Sequence, residues 1–364
     1  MTIALDATEA AHPEPTGTGV YSQMLIKALA DSRPASGFPD PRLALCLRIG
    51  PYCKWGRKRR WPPGCSASPF WEPWLPPRAA ALFHGLNQRL PRLPYPVRVV
   101  TIHDLFPLTS AEYSSPSFQQ RFTQVLREAV GRADRIIAVS DATRQQLLRH
   151  TDASDSRIRI IHHGVDPIPP ATAAEQQAFR QSVLGLRPEE KFFLNVGAIQ
   201  VRKNVANIVL ALKRLPDYRL VLAGADGYGA EAVHSLIERE GVSGRVVRTG
   251  HASRQTLRLL YSAAAALVFP SLEEGFGMPI LEAMSCGLPV VTSNCSAMPE
   301  VAGDAAVCVD PRSVSEIAAA MRRVAEDEPF AADLRRRGHA RAKLFTWAKC
   351  AGQTWDVYRE VLGE

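Results

Sequence analysis

Short apolar runs alternate along the chain with segments whose apolar residues recur at helical spacing. In the first half, ALCLRI (44–49), RVVTIHD (98–104) and RIIAVS (135–140) have the length and composition of buried parallel strands. The segment QQRFTQVLREAV (119–130) has the spacing of a crossover helix between the last two of these strands. This alternation predicts an α/β layer fold.

The same alternation restarts at residue 191 and continues to residue 294. Helices are predicted from Asn204 onward and at 232–240, 254–263 and 279–286. The predicted strands are KFFLNVG (191–197), RLVLAG (219–224), VVRTG (246–250), ALVFPS (266–271) and LPVVTSN (288–294). The second half is therefore predicted to be another doubly wound sheet.

Two regions interrupt the alternation. Residues 50–96 are dense in Pro, Trp and Arg, a composition that predicts long loops without regular elements. Pro, Gly and small polar residues gather in HHGVDPIPPATAAEQQ (162–177), and we place the interdomain linker near residues 167–190. The length of 364 residues suits two domains of ordinary size.

The composition, with 46% hydrophobic and 22% charged residues, is that of a globular protein. No apolar run is long enough to cross a bilayer, and the first residues do not resemble a signal peptide, so we expect a cytoplasmic protein. The seven cysteines show no C-x-x-C spacing, which argues against disulfides and a zinc site. The absence of a D-x-D pair predicts that no divalent metal ion is required.

The stretch SLEEGFGMPILEAMSCGLPVVTSN (271–294) carries the most specific chemical pattern. Glu274 lies in a glycine-rich loop, and seven residues separate it from Glu282, which we expect in the first turn of the following helix. Carboxylates so placed suit hydrogen bonds to sugar hydroxyls, and free amides at a helix start suit phosphate. The alternative is that Glu282 only complements the helix dipole and Glu274 is a solvated loop charge.

Arg202 and Lys203 are adjacent where a helix is predicted to begin, after a strand and the loop residue Gly197. Each cation should cost roughly 0.3 to 1 kcal/mol against the positive end of the helix macrodipole. Their position is explained if they bind an anion, and a diphosphate fits. The alternative is an ordinary surface pair of basic residues.

The segment PTGTGVYSQMLIKAL (15–29) opens a helix with Gly17 and Gly19, one residue short of a dinucleotide fingerprint. The preceding strand ends several residues before these glycines. No acidic residue ends a second strand at the distance expected for a ribose contact. A dinucleotide-binding dehydrogenase is therefore disfavoured.

Together these motifs resemble the retaining group 1 (family 4) glycosyltransferases, through the E-x7-E pair, the G-x-x-x-x-R-K stretch and the N-terminal glycine loop. The chain is similar to bacterial O-antigen and exopolysaccharide mannosyltransferases over nearly its whole length. The resemblance implies the GT-B fold, in which two Rossmann-like doubly wound domains face a central cleft. The acceptor domain is then residues 1–168, completed by a C-terminal helix at 346–364, and the donor domain is residues 169–345.

The resemblance also implies transfer of a sugar from a nucleotide sugar with retention of configuration, the donor diphosphate itself assisting the acceptor hydroxyl. Arg202 and Lys203 are then expected to stabilise the leaving diphosphate, Glu274 to hold the sugar and Glu282 the ribose. His103, which follows a buried strand, is expected to orient the transferred sugar, although a structural histidine is the alternative. The other donor contacts that the resemblance implies are Gly17, Gly19, Gly197, His251, Phe276, Gly277 and Met278.

GDP-mannose is the donor that the resemblance favours, and no separate cofactor is expected. UDP-glucose, other UDP-sugars and dTDP-rhamnose stay open, because contacts to the base around residues 249–252 are largely made by the main chain in this family. The expected partners are the nucleotide sugar and a glycan or polyprenyl-diphosphate-linked acceptor in cell-surface polysaccharide biosynthesis, including lipopolysaccharide.

The net charge of +8 favours an anionic partner. The tract KWGRKRRWPPG (54–64) mixes cations with two tryptophans, a composition that suits nucleic acid or an anionic membrane. For a lipid-linked acceptor we expect this tract to touch the inner face of the plasma membrane. A nucleic-acid-binding protein without catalysis is the alternative that this charge supports. A hydrolase using Glu274 and Glu282 is the other, and it leaves Arg202 and Lys203 unexplained.

Overall fold

The computed structural model describes residues 1–32, 41–72, 74–187 and 189–363. Its chain divides into two compact units. The first consists of Met1–Thr109, Pro116–Gly164 and Phe345–Glu364, and the second of Ser110–Ser115 and Val165–Leu344. Both units are built on parallel sheets, as the alternation of strand and helix predicts.

The described residues of the first unit form a seven-stranded sheet in the order β3-β2-β1-β4-β5-β6-β7, and every pairing is parallel. The strand order reverses between β1 and β4, which is the topological switch point of a doubly wound sheet. The strands are β1 (Thr2–Asp6), β2 (Arg42–Arg48), β3 (Cys65–Phe70), β4 (Leu82–Gly85), β5 (Val97–Ile102), β6 (Arg135–Ala138) and β7 (Ile158–Ile160).

Three long helices of this unit follow β1, β5 and β6: α1 (Gly17–Asp31), α2 (Pro116–Arg132) and α3 (Asp141–His150). Helix α2 buries Leu126 and Val130 in a core cluster with residues of β5 and β6. Ser140 caps α3, because its hydroxyl accepts a hydrogen bond from the amide of Thr143 at 3.0 Å. Shorter helical segments are Glu9–Ala11, Ile49–Pro51, Tyr52–Gly56, Phe106–Thr109 and Asp155–Arg157.

The prediction that residues 50–96 lack regular elements is wrong. Strands β3 and β4 lie in this region, and the single π-helical turn Tyr52–Gly56 precedes them. Proline is tolerated in β3 because β3 is an edge strand, where Pro69 need not donate to a neighbour on its outer side. Composition alone gave the wrong prediction for β3 and β4, because strand formation there depends on pairing with neighbouring strands and not on the β-propensity of the segment itself.

The described residues of the second unit form a six-stranded parallel sheet in the order β10-β9-β8-β11-β12-β13. Its strands are β8 (Lys191–Val196), β9 (Tyr218–Ala223), β10 (Val246–Arg248), β11 (Ala266–Phe269), β12 (Val290–Ser293) and β13 (Val307–Val309). The long helices are α4 (Ala173–Ser182), α5 (Val205–Lys213), α6 (Ala230–Arg239), α7 (Arg254–Ala263), α8 (Met278–Ser285), α9 (Val314–Glu326) and α10 (Glu328–Ala342). Short helical segments are Ala111–Tyr113, Val201–Lys203, Ser243–Arg245 and Met298–Ala302.

Helix α4 lies in the segment near residues 167–190 where the sequence pattern places the interdomain linker, and it was not predicted. Thr172 and Glu175 form a capping box at its start, in which each side chain accepts a hydrogen bond from the other residue's amide. Arg258, on α7, forms a salt bridge of 3.0 Å with the carboxylate of Glu175 and so connects α7 to α4. The T-x-x-E spacing that signals this helix is visible in the sequence.

The chain ends in helix α11 (Trp347–Leu362), which packs on α1 in the first unit. The hydroxyl of Tyr358 lies 2.6 Å from Nδ1 of His84 in β4. Gly164 lies so close to the returning chain that a Cβ there would be 2.2 Å from the amide nitrogen of Trp347. Within the described ranges, no helix combines the length and the apolar character needed to cross a membrane.

Candidate active site

The E-x7-E loop and the Arg-Lys turn meet at the carboxyl edge of the second sheet. Glu274, in the loop after β11, accepts a hydrogen bond from Nη1 of Arg202 at 2.8 Å through Oε2. Its other carboxylate oxygen pairs with Nζ of Lys203. The guanidinium also donates to the carbonyl of Glu273 at 3.0 Å. Glu274 and Lys203 are both buried, so a carboxylate and two cations share one enclosed site.

Arg202 and Lys203 lie directly before the helix that the sequence predicts from Asn204 onward. They belong to the separate 3-10 turn Val201–Lys203, and α5 begins at Val205. In the structure, the carboxylate of Glu274 supplies the negative charge that these two cations require.

Asn204 fixes this turn, and sequence reasoning missed it. Its backbone is left-handed, with φ of 58°, and its side-chain amide donates to the carbonyls of Pro270 at 3.0 Å and Pro311 at 2.7 Å. The carbonyl of Arg202 accepts from the amide of Leu272 at 2.8 Å. The signal for this role is an asparagine directly after the two cations, since asparagine tolerates the left-handed conformation better than most residues.

Glu274 remains ionised in this site. Burial raises the pKa of its carboxyl group, but Arg202 and Lys203 outweigh burial and lower the pKa to about 2. The ammonium of Lys203 also lies over the ring of Phe269, 4.7 Å from its centroid. A carboxylate held in this way accepts hydrogen bonds at neutral pH and cannot act as a general acid.

Glu282 lies in the second turn of α8, whereas the sequence pattern predicts it in the first turn. The hydroxyl of the fully buried Tyr261, on α7, donates to its Oε2 at 2.7 Å. Burial raises the pKa of Glu282, while the hydrogen bond from Tyr261 and the charge of Arg254 act in the opposite direction. Tyr261 was not predicted, because nothing in the sequence shows that α7 and α8 bring these side chains together.

Glycines make room for these side chains at the sheet edge. Gly197 has φ of 125°, and a Cβ there would lie 3.4 Å from Cε of Lys203. Gly224, after β9, packs so closely that a Cβ would be 2.0 Å from the carbonyl oxygen of Gly197. Gly277, with φ of 102°, precedes Met278, the first residue of α8.

The remaining predicted donor contacts are dispersed. Phe276 is buried in the loop before α8. His251 is exposed after β10, at the outer edge of the same sheet. Gly17 and Gly19 belong to the first unit at the start of α1, where a Cβ on Gly19 would lie 2.9 Å from the carbonyl of Glu9. Close packing thus accounts for a glycine at position 19.

His103 directly follows β5 in the first unit and is 5% exposed. Its Nε2 lies 2.8 Å from the carbonyl of Leu86, so Nε2 carries the proton and Nδ1 is the acceptor. Burial lowers the pKa of His103 to about 4, against the effect of this hydrogen bond. The imidazole is therefore neutral at physiological pH. Its ring contacts those of Tyr21 and His163, with centroids 4.7 and 5.4 Å apart.

A second buried histidine supports this region. His84, in β4, contacts the hydroxyl of Tyr358 through Nδ1 at 2.6 Å and that of Thr101 through Nε2 at 2.8 Å. The hydroxyl of Thr101 also lies 3.1 Å from that of Tyr21 on α1. This network joins β4, β5, α1 and α11. It was not predicted, since its members are far apart in the sequence.

No candidate metal centre occurs among the residues that the structure describes, where no group of three His, Cys, Asp or Glu side chains is placed to hold an ion. The positive charge beside Glu274 comes from Arg202 and Lys203.

Comparison with known proteins assigns the family. Residues 176–341 match the family described as glycosyl transferases group 1, and residues 67–168 match glycosyltransferase family 4. The chain is 34% identical over 286 residues to O-antigen chain mannosyltransferase B of Escherichia coli, a match that covers 76% of this chain and 74% of that protein. It is 31% identical to the serotype-specific mannosyltransferase WbdA of Escherichia coli over 72% of this chain, which spans 33% of WbdA.

Solved structures share the fold. Sucrose-phosphate synthase of Thermosynechococcus elongatus superposes with a TM-score of 0.78 at 23% identity, covering 100% of this chain and 99% of that one. The HepE protein of Anabaena in complex with UDP-glucose has a TM-score of 0.76 at 20% identity, covering 99% of each chain. The chain belongs to the group 1, family 4 glycosyltransferases and has the GT-B fold of two Rossmann-like domains. It is a glycosyltransferase.

Proposed function

We propose that this protein transfers mannose from GDP-mannose, with retention of configuration, to a glycan or polyprenyl-diphosphate-linked acceptor. The observation that carries the proposal is the buried group of Arg202, Lys203 and Glu274 at the carboxyl edge of the second sheet. Ligands of doubly wound sheets bind outside this edge. The group offers cations for a diphosphate and a carboxylate for sugar hydroxyls.

We propose that Arg202 and Lys203 bind the diphosphate and stabilise the charge that develops on it as it leaves. Their present partner, Glu274, then has hydrogen-bonding capacity for the hydroxyls of the sugar. Glu282 accepts hydrogen bonds from the ribose through the oxygen that Tyr261 does not engage. Gly197 leaves space for the phosphates beside Lys203, and the amides at the start of α8 add hydrogen-bond donors.

In the proposed reaction, the bond between the anomeric carbon and the diphosphate oxygen breaks while the acceptor oxygen bonds to that carbon on the same face. The acceptor hydroxyl loses its proton to an oxygen of the departing diphosphate. No protein nucleophile takes part, and Glu274 is held by two cations and is poorly suited to attack. The two cations neutralise the leaving group, and the reaction requires neither a metal ion nor a separate cofactor.

We propose that His103 orients the transferred sugar as a neutral hydrogen-bond acceptor. Its Nε2 is occupied by the carbonyl of Leu86, which leaves Nδ1 to accept from a sugar hydroxyl. The low pKa keeps the ring uncharged throughout the physiological range. The role assigned to His103 is therefore positioning and not acid catalysis.

An anionic acceptor is supported by arginines at the carboxyl edge of the first sheet. Arg48 ends β2 and Arg89 follows β4. Burial lowers the pKa of Arg89, and the nearby charges of Arg48 and Arg121 lower it further, against opposing effects of Asp6 and Glu9. Three guanidinium groups in one region suit a polyphosphate. We propose that they receive the diphosphate of a lipid-linked acceptor on the cytoplasmic side of the membrane.

The donor is assigned to GDP-mannose because two relatives above 30% identity are named as mannosyltransferases. A UDP-sugar is the second candidate, favoured by the HepE complex with UDP-glucose. A transfer assay with radiolabelled GDP-mannose, UDP-glucose and dTDP-rhamnose, run in EDTA with polyprenyl-diphosphate acceptors, tests the proposal. We expect label only from GDP-mannose and an α-linked product by NMR. Transfer only from UDP-glucose, or an inverted product, contradicts it.

A further inference from the structure

Side-chain hydrogen bonds continue the pairing of β11 and β12 beyond the end of β11. In the parallel register, Phe269 ends β11 opposite Thr292, and Pro270, which follows, has no N–H group to donate. Side chains of β12 and of the loop after it then bind carbonyls of the departing chain. The hydroxyl of Thr292 donates to the carbonyl of Phe269 at 2.9 Å, that of Ser293 to the carbonyl of Ser271 at 2.7 Å, and the thiol of Cys295 to the carbonyl of Leu272 at 3.4 Å.

Ser296 makes the last contact of this series, and it binds the backbone of Glu274. Its hydroxyl donates to the carbonyl of Glu274 at 2.7 Å and accepts from the amide of the same residue at 3.1 Å. A hydroxyl can do both, because it carries one donor and two lone pairs. The two bonds hold the peptide groups on either side of the Glu274 Cα, so they fix the direction in which the side chain leaves the backbone.

The backbone of Ser296 is left-handed, with φ of 55°. Among the residues that the structure describes, only Gln88 and Asn204 share this conformation without being glycine. Side chains other than glycine adopt it at a cost in free energy, and such residues gather at functional sites. Asn204 holds the turn that carries Arg202, and Ser296 holds the loop that carries Glu274. Each partner of this buried ion pair therefore has a left-handed residue that fixes its backbone.

We infer that Ser296 is a positioning residue for sugar transfer, acting through the main chain of Glu274. The inference rests on the proposed role of Glu274 in holding the sugar. In the structure, Arg202 and Lys203 hold both carboxylate oxygens of Glu274. When a diphosphate engages these cations, they hold the carboxylate less firmly, and its position then depends on its own backbone. A displacement of about 1 Å at a reacting centre can cost roughly a hundredfold in rate.

A double-mutant cycle tests whether Ser296 acts through Glu274. Its members are the wild type, Ser296→Ala, Glu274→Gln and the double variant. Ser296→Gly also removes the hydroxyl, but it relieves the left-handed backbone, so it keeps the test valid if the alanine variant folds poorly. Ser182→Ala is the matched control, since the exposed hydroxyl of Ser182 donates to the carbonyl of Ala178 on α4. The measurements are transfer from GDP-mannose to a polyprenyl-diphosphate acceptor, GDP titration and thermal unfolding.

We expect Ser296→Ala to lower kcat about tenfold while the affinity for GDP stays that of the wild type. In the Glu274→Gln background the same substitution should lower kcat less than about twofold, because the carboxylate that Ser296 positions is gone. Ser296→Gly should lose as much kcat as Ser296→Ala, although it should unfold about 2 °C higher. Ser182→Ala should transfer mannose like the wild type.

Three results overturn the inference alone while Glu274→Gln is impaired: an unchanged kcat in Ser296→Ala, an equal loss in both backgrounds, or a wild-type kcat in Ser296→Gly. An equal loss in both backgrounds assigns a purely structural role to the hydroxyl. Recovery in Ser296→Gly assigns the effect to backbone conformation. If Glu274→Gln itself transfers mannose at the wild-type rate, the proposed role of Glu274 fails, and the role of Ser296 fails with it.

Discussion

The hydroxyl of Tyr261 donates to Oε2 of Glu282 across 2.7 Å, and both side chains lie on neighbouring helices of the second unit. This contact orients the carboxylate and leaves its other oxygen for a ligand. It also stabilises the ionised form of Glu282 against burial, which raises the pKa. Tyr261 therefore prepares Glu282 to accept hydrogen bonds.

Replacing Tyr261 with phenylalanine should weaken donor binding without abolishing catalysis. Without the hydroxyl, the pKa of Glu282 should rise further, so the acid limb of donor binding should move to higher pH. KM for the donor should increase about tenfold, corresponding to one lost hydrogen bond to a charged group, with kcat changed little. The measurement is KM and kcat across pH 5 to 9.

A deoxyribose donor distinguishes this role from a purely structural one. If Tyr261 acts through the contact of Glu282 with the ribose, Tyr261→Phe should raise KM only slightly for a donor that lacks the ribose hydroxyls. An equal increase in KM for both donors contradicts the role of Tyr261. If Glu282→Gln has no effect with either donor, the assignment of Glu282 to the ribose fails as well.

Replacing Glu274 with glutamine should separate diphosphate binding from sugar transfer. The variant removes the negative charge that now occupies Arg202 and Lys203, so affinity for GDP should stay the same or increase. The rate of transfer should fall about a hundredfold, since the sugar loses a charged hydrogen-bond acceptor. Steady-state kinetics and GDP titration measure the two effects.

The matched control for Glu274→Gln is Glu240→Gln, which breaks an exposed ion pair with Lys213. Such pairs contribute little, so this variant should behave like the wild type. Unchanged transfer in Glu274→Gln, or loss of its GDP binding, is incompatible with the proposed site.

Two glycine substitutions should have opposite effects on stability. A Cβ on Gly164 would lie 2.2 Å from the amide nitrogen and 2.6 Å from Cα of Trp347, so Gly164→Ala must displace backbone. We expect a loss of at least about 3 kcal/mol in the free energy of unfolding. Gly352→Ala meets no atom within 4 Å inside α11 and should stabilise the protein by up to about 1 kcal/mol. Urea unfolding of both variants checks the contrast, and equal stability of the two disproves the close packing at Gly164.

The buried imidazoles should make the first unit sensitive to mild acid. Burial lowers the pKa of His84 to about 3, that of His103 to about 4 and that of His163 well below its usual value of 6.5. Below pH 6.5 the unfolded chain takes up protons that the folded chain does not, so stability falls as the pH falls. Each imidazole contributes up to about 1.4 kcal/mol per pH unit.

The pH range identifies the source of this loss. Glu274, with a pKa of about 2, begins to lose its contribution only below pH 4.5, so the decline between pH 6.5 and 4.5 belongs to the imidazoles. Unfolding free energies measured across that range should decline more gently in His84→Gln than in the wild type. If the unfolding free energy of the wild type does not change between pH 6.5 and 4.5, the prediction is contradicted.

The strand and helix pattern was sufficient to predict both parallel sheets and most of their elements. It failed for β3 and β4, where proline and arginine obscure short strands whose pairing depends on β2 and β1. It also failed for α4, although the capping pair of Thr172 and Glu175 is visible in the sequence. Local composition carries less information than a specific capping spacing.

The chemistry of the site was partly accessible from the sequence. The spacing of Glu274 and Glu282 and the adjacency of Arg202 and Lys203 identified candidate residues, but not their mutual contact. That contact depends on how the loops after β8 and β11 approach one another. Asn204 and Tyr261 were missed because their roles arise from tertiary hydrogen bonds. Sequence spacing encodes such contacts only through the fold.

The most direct test of the donor site is calorimetric titration in EDTA with GDP-mannose, UDP-glucose and dTDP-rhamnose. The wild type is compared with Arg202→Ala and with Arg187→Ala, a control whose exposed arginine pairs with Glu189. The predicted result is metal-free binding of GDP-mannose in preference to the others, weakened at least about tenfold in Arg202→Ala and unchanged in the control. Binding of none of the three, or equal binding by Arg202→Ala and the wild type, contradicts the proposed nucleotide-sugar site.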